Sequence, residues 1–359
     1  MTQHTLQGVQ RRVLAKKLKG ERRVARTGPQ AAGEHYLHQQ SVRAATRESY
    51  RHASTEFKAW ARACGLRLDL QKDRDLAMER YLHVLYFNGE GCYAARQALF
   101  GEIFSSRLNP RDPLELPRSR QALKGFVASA PDSQRDPMPW EAVLLVADWL
   151  LQRNGPHDVH AARVSVVAFD AYLRPAEALA LTSSSVTVIG SPGLVSLPRV
   201  SVRIAPSAPD DGSLPPPRTK SGSYDDTVVF ADPASTTQGR AWISNLVSSL
   251  KAASPPSAPV FRLTIAQWER VFGEALADLR LKGLKATPHC LRHGGASADF
   301  AAHVRDLHSV QRKGRWLAFA SVKRYEKSGR LAAQFARLSA EHVRSARRLA
   351  TSLPRRLAP

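Results

Sequence analysis

The chain has 359 residues, 43% of them hydrophobic, and carries 53 lysines and arginines against 31 aspartates and glutamates, a net charge of +22. That length fits two ordinary domains with their own cores, and the hydrophobic fraction excludes wholesale disorder. No apolar run approaches the ~20 residues that span a bilayer, and Cys64, Cys92 and Cys290 form no CxxC pair or zinc spacing, which excludes a membrane protein, a disulfide scaffold and a metal-binding framework.

Residues 1–40 have little apolar periodicity and read as a flexible basic arm. Its first 27 residues hold eight basic side chains, Arg11, Arg12, Lys16 and Lys17 among them, and one acidic. Such a run suits a nuclear localisation signal, an organellar presequence or an arm lying on DNA. No apolar signal segment opens the chain, so an intracellular protein is expected. Residues 330–359 are again basic, seven to one, and the body between is basic as well. A polyanionic partner follows, nucleic acid ahead of a membrane surface.

Residues 41–130 read as a small helical domain. Val42, Thr46, Tyr50, Ala53, Phe57 and Trp60 recur at spacings of three and four, one buried stripe. Arg43, Arg47 and Arg51 fall on a neighbouring stripe, and the lack of acidic residues on it points to phosphate contact. Further helices are expected at 74–87, 93–108 and 118–128, separated by Gly89 and Gly91 and then by Pro110, Pro113 and Pro117. Residues 131–139 read as a linker.

A second domain is expected over 140–350, with a tail at 351–359. Apolar helices at 140–152 and 158–172 lead to Arg174-Pro175-Ala176-Glu177, a helix start with Pro at its first position. Short β-rich runs follow at 186–189, 194–197, 200–204 and 227–230, interrupted by a polar loop at 205–217. Helices resume at 236–252 and 264–281. Leu331, Phe335, Leu338, Val343, Ala346 and Leu349 then form a last apolar stripe that can pack on its own domain. The fold class is mainly α with a small antiparallel β-sheet, an α+β architecture.

The chemistry concentrates in the last quarter. His289-Cys290-Leu291-Arg292-His293-Gly294-Gly295 places His289 and Arg292 on one helix face. Gly314-Arg315-Trp316 follows, and Tyr325 stands nine residues beyond the indole. Guanidiniums clamp anions, an imidazole relays protons, and a phenol with a reference pKa near ~10 becomes a nucleophile once its proton is removed. No metal ligands accompany them. The set suggests attack of a tyrosine on a phosphodiester.

With Arg174 upstream and Lys220 in Arg218-Thr219-Lys220-Ser221-Gly222, the chain resembles the tyrosine recombinase (phage integrase-like) family. The resemblance spans roughly residues 41–345, and its sharp motifs lie in 172–325. It implies a helical core-binding domain and a catalytic domain that together form a C-shaped clamp on double-stranded DNA. The implied catalytic set is Arg174, Lys220, His289, Arg292, Trp316 and Tyr325. In it the arginines hold the scissile phosphate, Lys220 protonates the departing 5′-oxygen, Trp316 donates to a phosphate oxygen, and Tyr325 forms a 3′-phosphotyrosyl bond. Glu177 braces Arg174, while His293 and Cys290 read as structural. No metal, ATP or other cofactor is needed, and a homotetramer on DNA is implied. The expected activity is strand exchange, in site-specific recombination or integration. A type IB topoisomerase-like relaxase and a catalytically inactive DNA-binding descendant are the alternatives. The Gly-Arg-Trp context leans toward recombinases of eukaryotic mobile elements. Residence would then be nuclear, and otherwise cytoplasmic or at the nucleoid.

Overall fold

Ala53, Phe57 and Ala61, spaced by four, give the first long helix one apolar edge, and all three are buried. The computed structural model describes residues 36–39, 41–131, 135–189, 200–206, 225–325 and 328–359. The chain divides into two compact units, Met1–Ser133 and Gln134–Pro359.

The first unit holds α1 (Tyr36–Gln39), α2 (Ala44–Ala63), α3 (Gln71–Phe87), α4 (Cys92–Ser105) and α5 (Pro117–Ser129). Phe57, Met78, Leu82, Leu99, Ile103 and Phe126 fill its core. Gly101 lets α4 lie directly on α2, because a Cβ there would sit 2.7 Å from the Tyr50 carbonyl. The start of α5 has no cap of its own, and α3 supplies one. The Asp75 carboxylate accepts from the backbone N–H groups of Arg118 (3.0 Å) and Ser119 (2.9 Å), which an uncapped first turn would leave open. Glu102, fully buried, accepts from the Ser54 and Ser106 hydroxyls and faces Arg74 and Lys58, each at 3.4 Å.

The second unit continues with α6 (Trp140–Arg153), α7 (Asp158–Asp170) and α8 (Pro175–Leu179), then β1 (Val186–Val188), β2 (Val200–Ile204) and β3 (Asp226–Phe230). The helices α9 (Pro233–Thr237), α10 (Trp242–Ala252), α11 (Ile265–Asp278), α12 (Pro288–Ala301), α13 (Leu307–Gly314), α14 (Gly329–Phe335) and α15 (Ala340–Leu357) complete it. The three strands form one antiparallel sheet in the order β1-β2-β3, with Val202 opposite both Val186 and Val228. Val200, Val202 and Ile204 turn inward at the strand period of two. The fold is thus mainly helical with a small antiparallel sheet. The β-run at 194–197 and most of the 205–217 loop lie outside the described residues, as does the arm up to residue 35.

α7 is the centre of this unit. Its Val164, Val166, Val167 and Phe169 are fully buried, and Ser165 accepts from the Trp268 indole N–H at 3.1 Å. α15 packs against α6 of its own unit through Ala346, Leu353 and Leu357. It runs through the residues read as a tail, since Leu353 and Leu357 extend the apolar stripe at a spacing of four. Arg163 satisfies the open end of the helix, donating to the carbonyls of Leu357 (2.8 Å) and Ala358 (2.9 Å). Among the described residues no helix is long and apolar enough to cross a membrane.

Candidate active site

The site begins where α8 starts. Arg174 is the N-cap residue, Pro175 fixes the first helical φ, and the Glu177 carboxylate reaches back to accept the Arg174 N–H at 3.0 Å. That reach turns Glu177 inward, where it is 7% exposed. Three arginines meet its carboxylate. Arg174 Nη1 donates to Oε1, Arg315 Nη2 donates to Oε2 at 2.6 Å, and Arg292 Nη1 lies 3.9 Å from Oε2. Burial pushes the Glu177 carboxyl up, but Arg315 and Arg174 outweigh it and hold the group below the usual carboxylate range.

Arg292 comes from the second turn of α12 and is almost fully buried. It donates to the backbone carbonyls of Tyr172 and Gly314, and its guanidinium carbon lies 4.2 Å from the centre of the Trp316 ring, a cation–π contact. Burial, then the positive neighbours Arg174 and Arg315, lower its pKa to about 9, so it stays charged at neutral pH. Gly294 and Gly295 make this placement possible. A Cβ on Gly294 would lie 2.2 Å from the Met138 carbonyl, and one on Gly295 2.0 Å from the Phe169 carbonyl. Only glycine lets α12 press its arginine turn against the end of α7.

Gly314 ends α13, and Arg315 follows in the left-handed region at φ 56°. The turn folds the Trp316 indole over Gly314 and aims the Arg315 side chain back at Glu177. Burial lowers the Arg315 pKa, a cost that Glu177 partly offsets. The Trp316 ring stands 5.2 Å from the ring of Tyr325, which lies on a one-turn 3₁₀ segment, Lys323–Tyr325, and is 3% exposed.

The Tyr325 hydroxyl lies 2.6 Å from Nδ1 of His293, also buried. His293, read from the sequence as structural, is thus the imidazole next to the phenol. His289, one helical turn earlier, has its ring centre 5.4 Å from that of His293. Cys290 is buried beside Thr287 at the start of α12, in keeping with its structural reading.

Below the arginines lies a buried ionic network. Tyr172, left-handed at φ 47°, donates its hydroxyl to Asp299. Arg240 joins Asp170 (2.9 Å) to Asp299, and Arg305 joins Asp299 (2.9 Å) to Asp232. Lys313 reaches Asp232 at 2.9 Å and lies over the Tyr172 ring. The network grips both carbonyl-bearing turns that hold Arg292, because Tyr172 precedes Arg174 by two and Lys313 precedes Gly314 by one.

Arg174, Arg292, Trp316 and Tyr325 therefore come together with Glu177, and His289 lies next to His293. Lys220 lies outside the described residues. In the first unit, Arg43 is exposed at the start of α2, Arg47 donates to the Gln39 carbonyl at 2.8 Å, and Arg51 pairs with Glu48. The stripe is thus not free of acidic partners: Glu48 is three residues before Arg51, within reach on a helix. Arg315 and the buried network carried no motif that singled them out. His293 did carry a signal, its spacing of four from His289. Among the described residues, no three His, Cys, Asp or Glu side chains gather as a group that could hold a metal ion.

No protein-family model matches the chain, and no curated protein matches it. Among the solved structures similar to it are two complexes of one recombinase. One is the XerH site-specific recombinase bound to palindromic difH substrate in a post-cleavage complex, at 13% identity and a TM-score of 0.43, covering 70% of this chain and 68% of that one. The other is XerH bound to difH substrate in a pre-cleavage complex, at 13% identity and a TM-score of 0.36, covering 71% of this chain and 77% of that one.

Proposed function

We propose that this chain breaks and rejoins DNA through Tyr325, as a tyrosine recombinase does. The observation that carries the reading is the convergence of Arg174, Arg292 and Arg315 on Glu177, with Trp316 and Tyr325 packed against Arg292. Guanidiniums fixed in this way are ready donors to the non-bridging oxygens of a phosphodiester, and their charge favours the extra negative charge of a pentacoordinate transition state. Trp316 shields the pocket and can add an indole N–H.

Tyr325 Oη attacks phosphorus, the bond to the 5′-oxygen breaks, and a 3′-phosphotyrosyl link holds the strand. Lys220 is the proposed acid for the departing oxygen, on the strength of the family resemblance. A free 5′-hydroxyl reverses the step, so the phosphodiester energy is conserved without nucleotide hydrolysis. Exchange between two duplexes needs a nucleophile for every strand, which makes a homotetramer on double-stranded DNA the proposed working form. The net charge of +22 supports the DNA partner.

A pool of random-sequence duplexes, each with a nick next to the potential cleavage position, traps covalent adducts by losing the short fragment that religation needs. The unaltered chain is expected to form adducts, and Tyr325→Phe to bind the same DNA without forming any. Adducts in Tyr325→Phe would refute the assignment.

A further inference from the structure

The phenol of Tyr325 must lose its proton as it attacks, because at neutral pH a group with a reference pKa near ~10 is protonated. The guanidiniums and the indole around it are donors only and cannot take that proton. The Glu177 carboxylate is engaged by arginines, and the Tyr172 hydroxyl is committed to Asp299. His293 Nδ1 lies 2.6 Å from the phenolic oxygen, within direct transfer distance, and both side chains are buried away from bulk water. The ring of His289 lies 5.4 Å, centre to centre, from that of His293.

We infer that His293 is the catalytic base for Tyr325, an assignment that rests on the proposed phosphodiester chemistry. With the neutral ring protonated on Nε2, the phenol donates to Nδ1. On attack the Oη–P bond forms and the proton passes to Nδ1, leaving an imidazolium. The bond from phosphorus to the 5′-oxygen breaks, and that oxygen takes its proton from the general acid, Lys220 in the reading above. When a 5′-hydroxyl attacks the phosphotyrosine, its proton returns to the general acid and His293 returns its own to the departing phenol. The residue thus acts as base in cleavage and acid in religation, and the protein ends unchanged. His289, the member of the His-x-x-Arg pair, becomes a neighbour of the base and not the base itself.

The test measures adduct formation on the nicked random-sequence pool for His293→Asn, His293→Gln and His289→Asn. Each is prepared with tyrosine at position 325 and with a fluorinated tyrosine that is ionised at neutral pH. His293→Asn and His293→Gln are expected to slow adduct formation ~100-fold or more, the range of a lost general base. The fluorinated residue is expected to restore most of that loss, because a phenolate needs no base; a role limited to positioning would not be rescued this way. His289→Asn is expected to lose less. Cleavage by folded His293→Asn within a few-fold of the unaltered chain, or no recovery with the fluorinated residue, would overturn the assignment. Nitrogen-15 spectra of the unaltered chain give a second measurement should the variants fail to fold. Nδ1 is expected to be an unprotonated acceptor that responds to Tyr325→Phe, and a protonated Nδ1 would overturn the inference. No adducts from the unaltered chain would instead refute the underlying phosphodiester reading, and adducts formed by Tyr325→Phe would refute Tyr325 as its nucleophile, so the failures are distinct.

Discussion

Glu177 holds the electrostatics of the site together, because Arg174, Arg292 and Arg315 have little exposure to water and meet at its carboxylate. Glu177→Gln leaves buried guanidiniums uncompensated, and a loss of about 3–5 kcal/mol in chemical unfolding is expected. Asp232 gives the pH signature. Burial pushes its carboxyl up, but Lys313 and the Ser235 N–H outweigh that and hold it at about 2. Its folded pKa is depressed, so its contribution to stability is present above ~4 and lost as pH falls toward 2. Asp232→Asn should flatten that part of the melting-temperature profile relative to the unaltered chain. At this scale the sequence disclosed residue types at ordered positions, which is why Arg174, Arg292, Trp316 and Tyr325 were legible. The partner of each side chain was not. Arg315 stood in plain view beside Trp316, but its turn toward Glu177 depends on a left-handed backbone that no periodicity reveals.

α12 is positioned by what it lacks. Gly294 and Gly295 bring it against Met138, Phe169 and Tyr172 at distances that exclude a side chain. Gly295→Ala is expected to cost about 3 kcal/mol, the upper part of the overpacking range, and to reduce adduct formation further than the stability loss explains, because Arg292 and His293 sit on the adjoining turn. At the other end, Leu353 in α15 is fully buried, and Leu353→Ala should cost about 2–5 kcal/mol in thermal or chemical melts. The long helices were legible from apolar spacing, and their ends less so. Residues 351–359 read as a tail, yet the helix and its apolar stripe continue through Pro354 to Leu357. The cap of α5 was invisible in sequence because Asp75 is supplied by another helix.

Over the whole molecule, the two compact units each have a separate hydrophobic core. With the proposed DNA partner, the excess of basic residues is expected to make affinity strongly salt-dependent, log affinity falling by ~0.9 per phosphate neutralised for each log unit of salt. Arg43→Ala is expected to reduce that slope by up to about 1, and Arg51→Ala by less than about 1, because Arg51 exchanges Glu48 for a phosphate. Titrations at several salt concentrations check both. Composition alone pointed to a polyanionic partner. It could not disclose which basic side chains are already engaged within the protein, and the pairs formed by Arg47 and Arg51 show how much that matters.

The cluster on Glu177 sets three guanidinium charges against a single carboxylate, an excess of two positive charges. A resting phosphodiester brings about one negative charge and its five-coordinate form about two, so in the proposed reaction the cluster would be balanced at the crest and not at the start. The cluster therefore carries an uncompensated positive charge within the fold. Any small tetrahedral or trigonal-bipyramidal oxyanion that enters should offset it, and inorganic vanadate should raise the melting temperature more than phosphate does. The same addition should do nothing for an Arg174→Ala, Arg292→Ala double variant, in which one guanidinium is left facing one carboxylate.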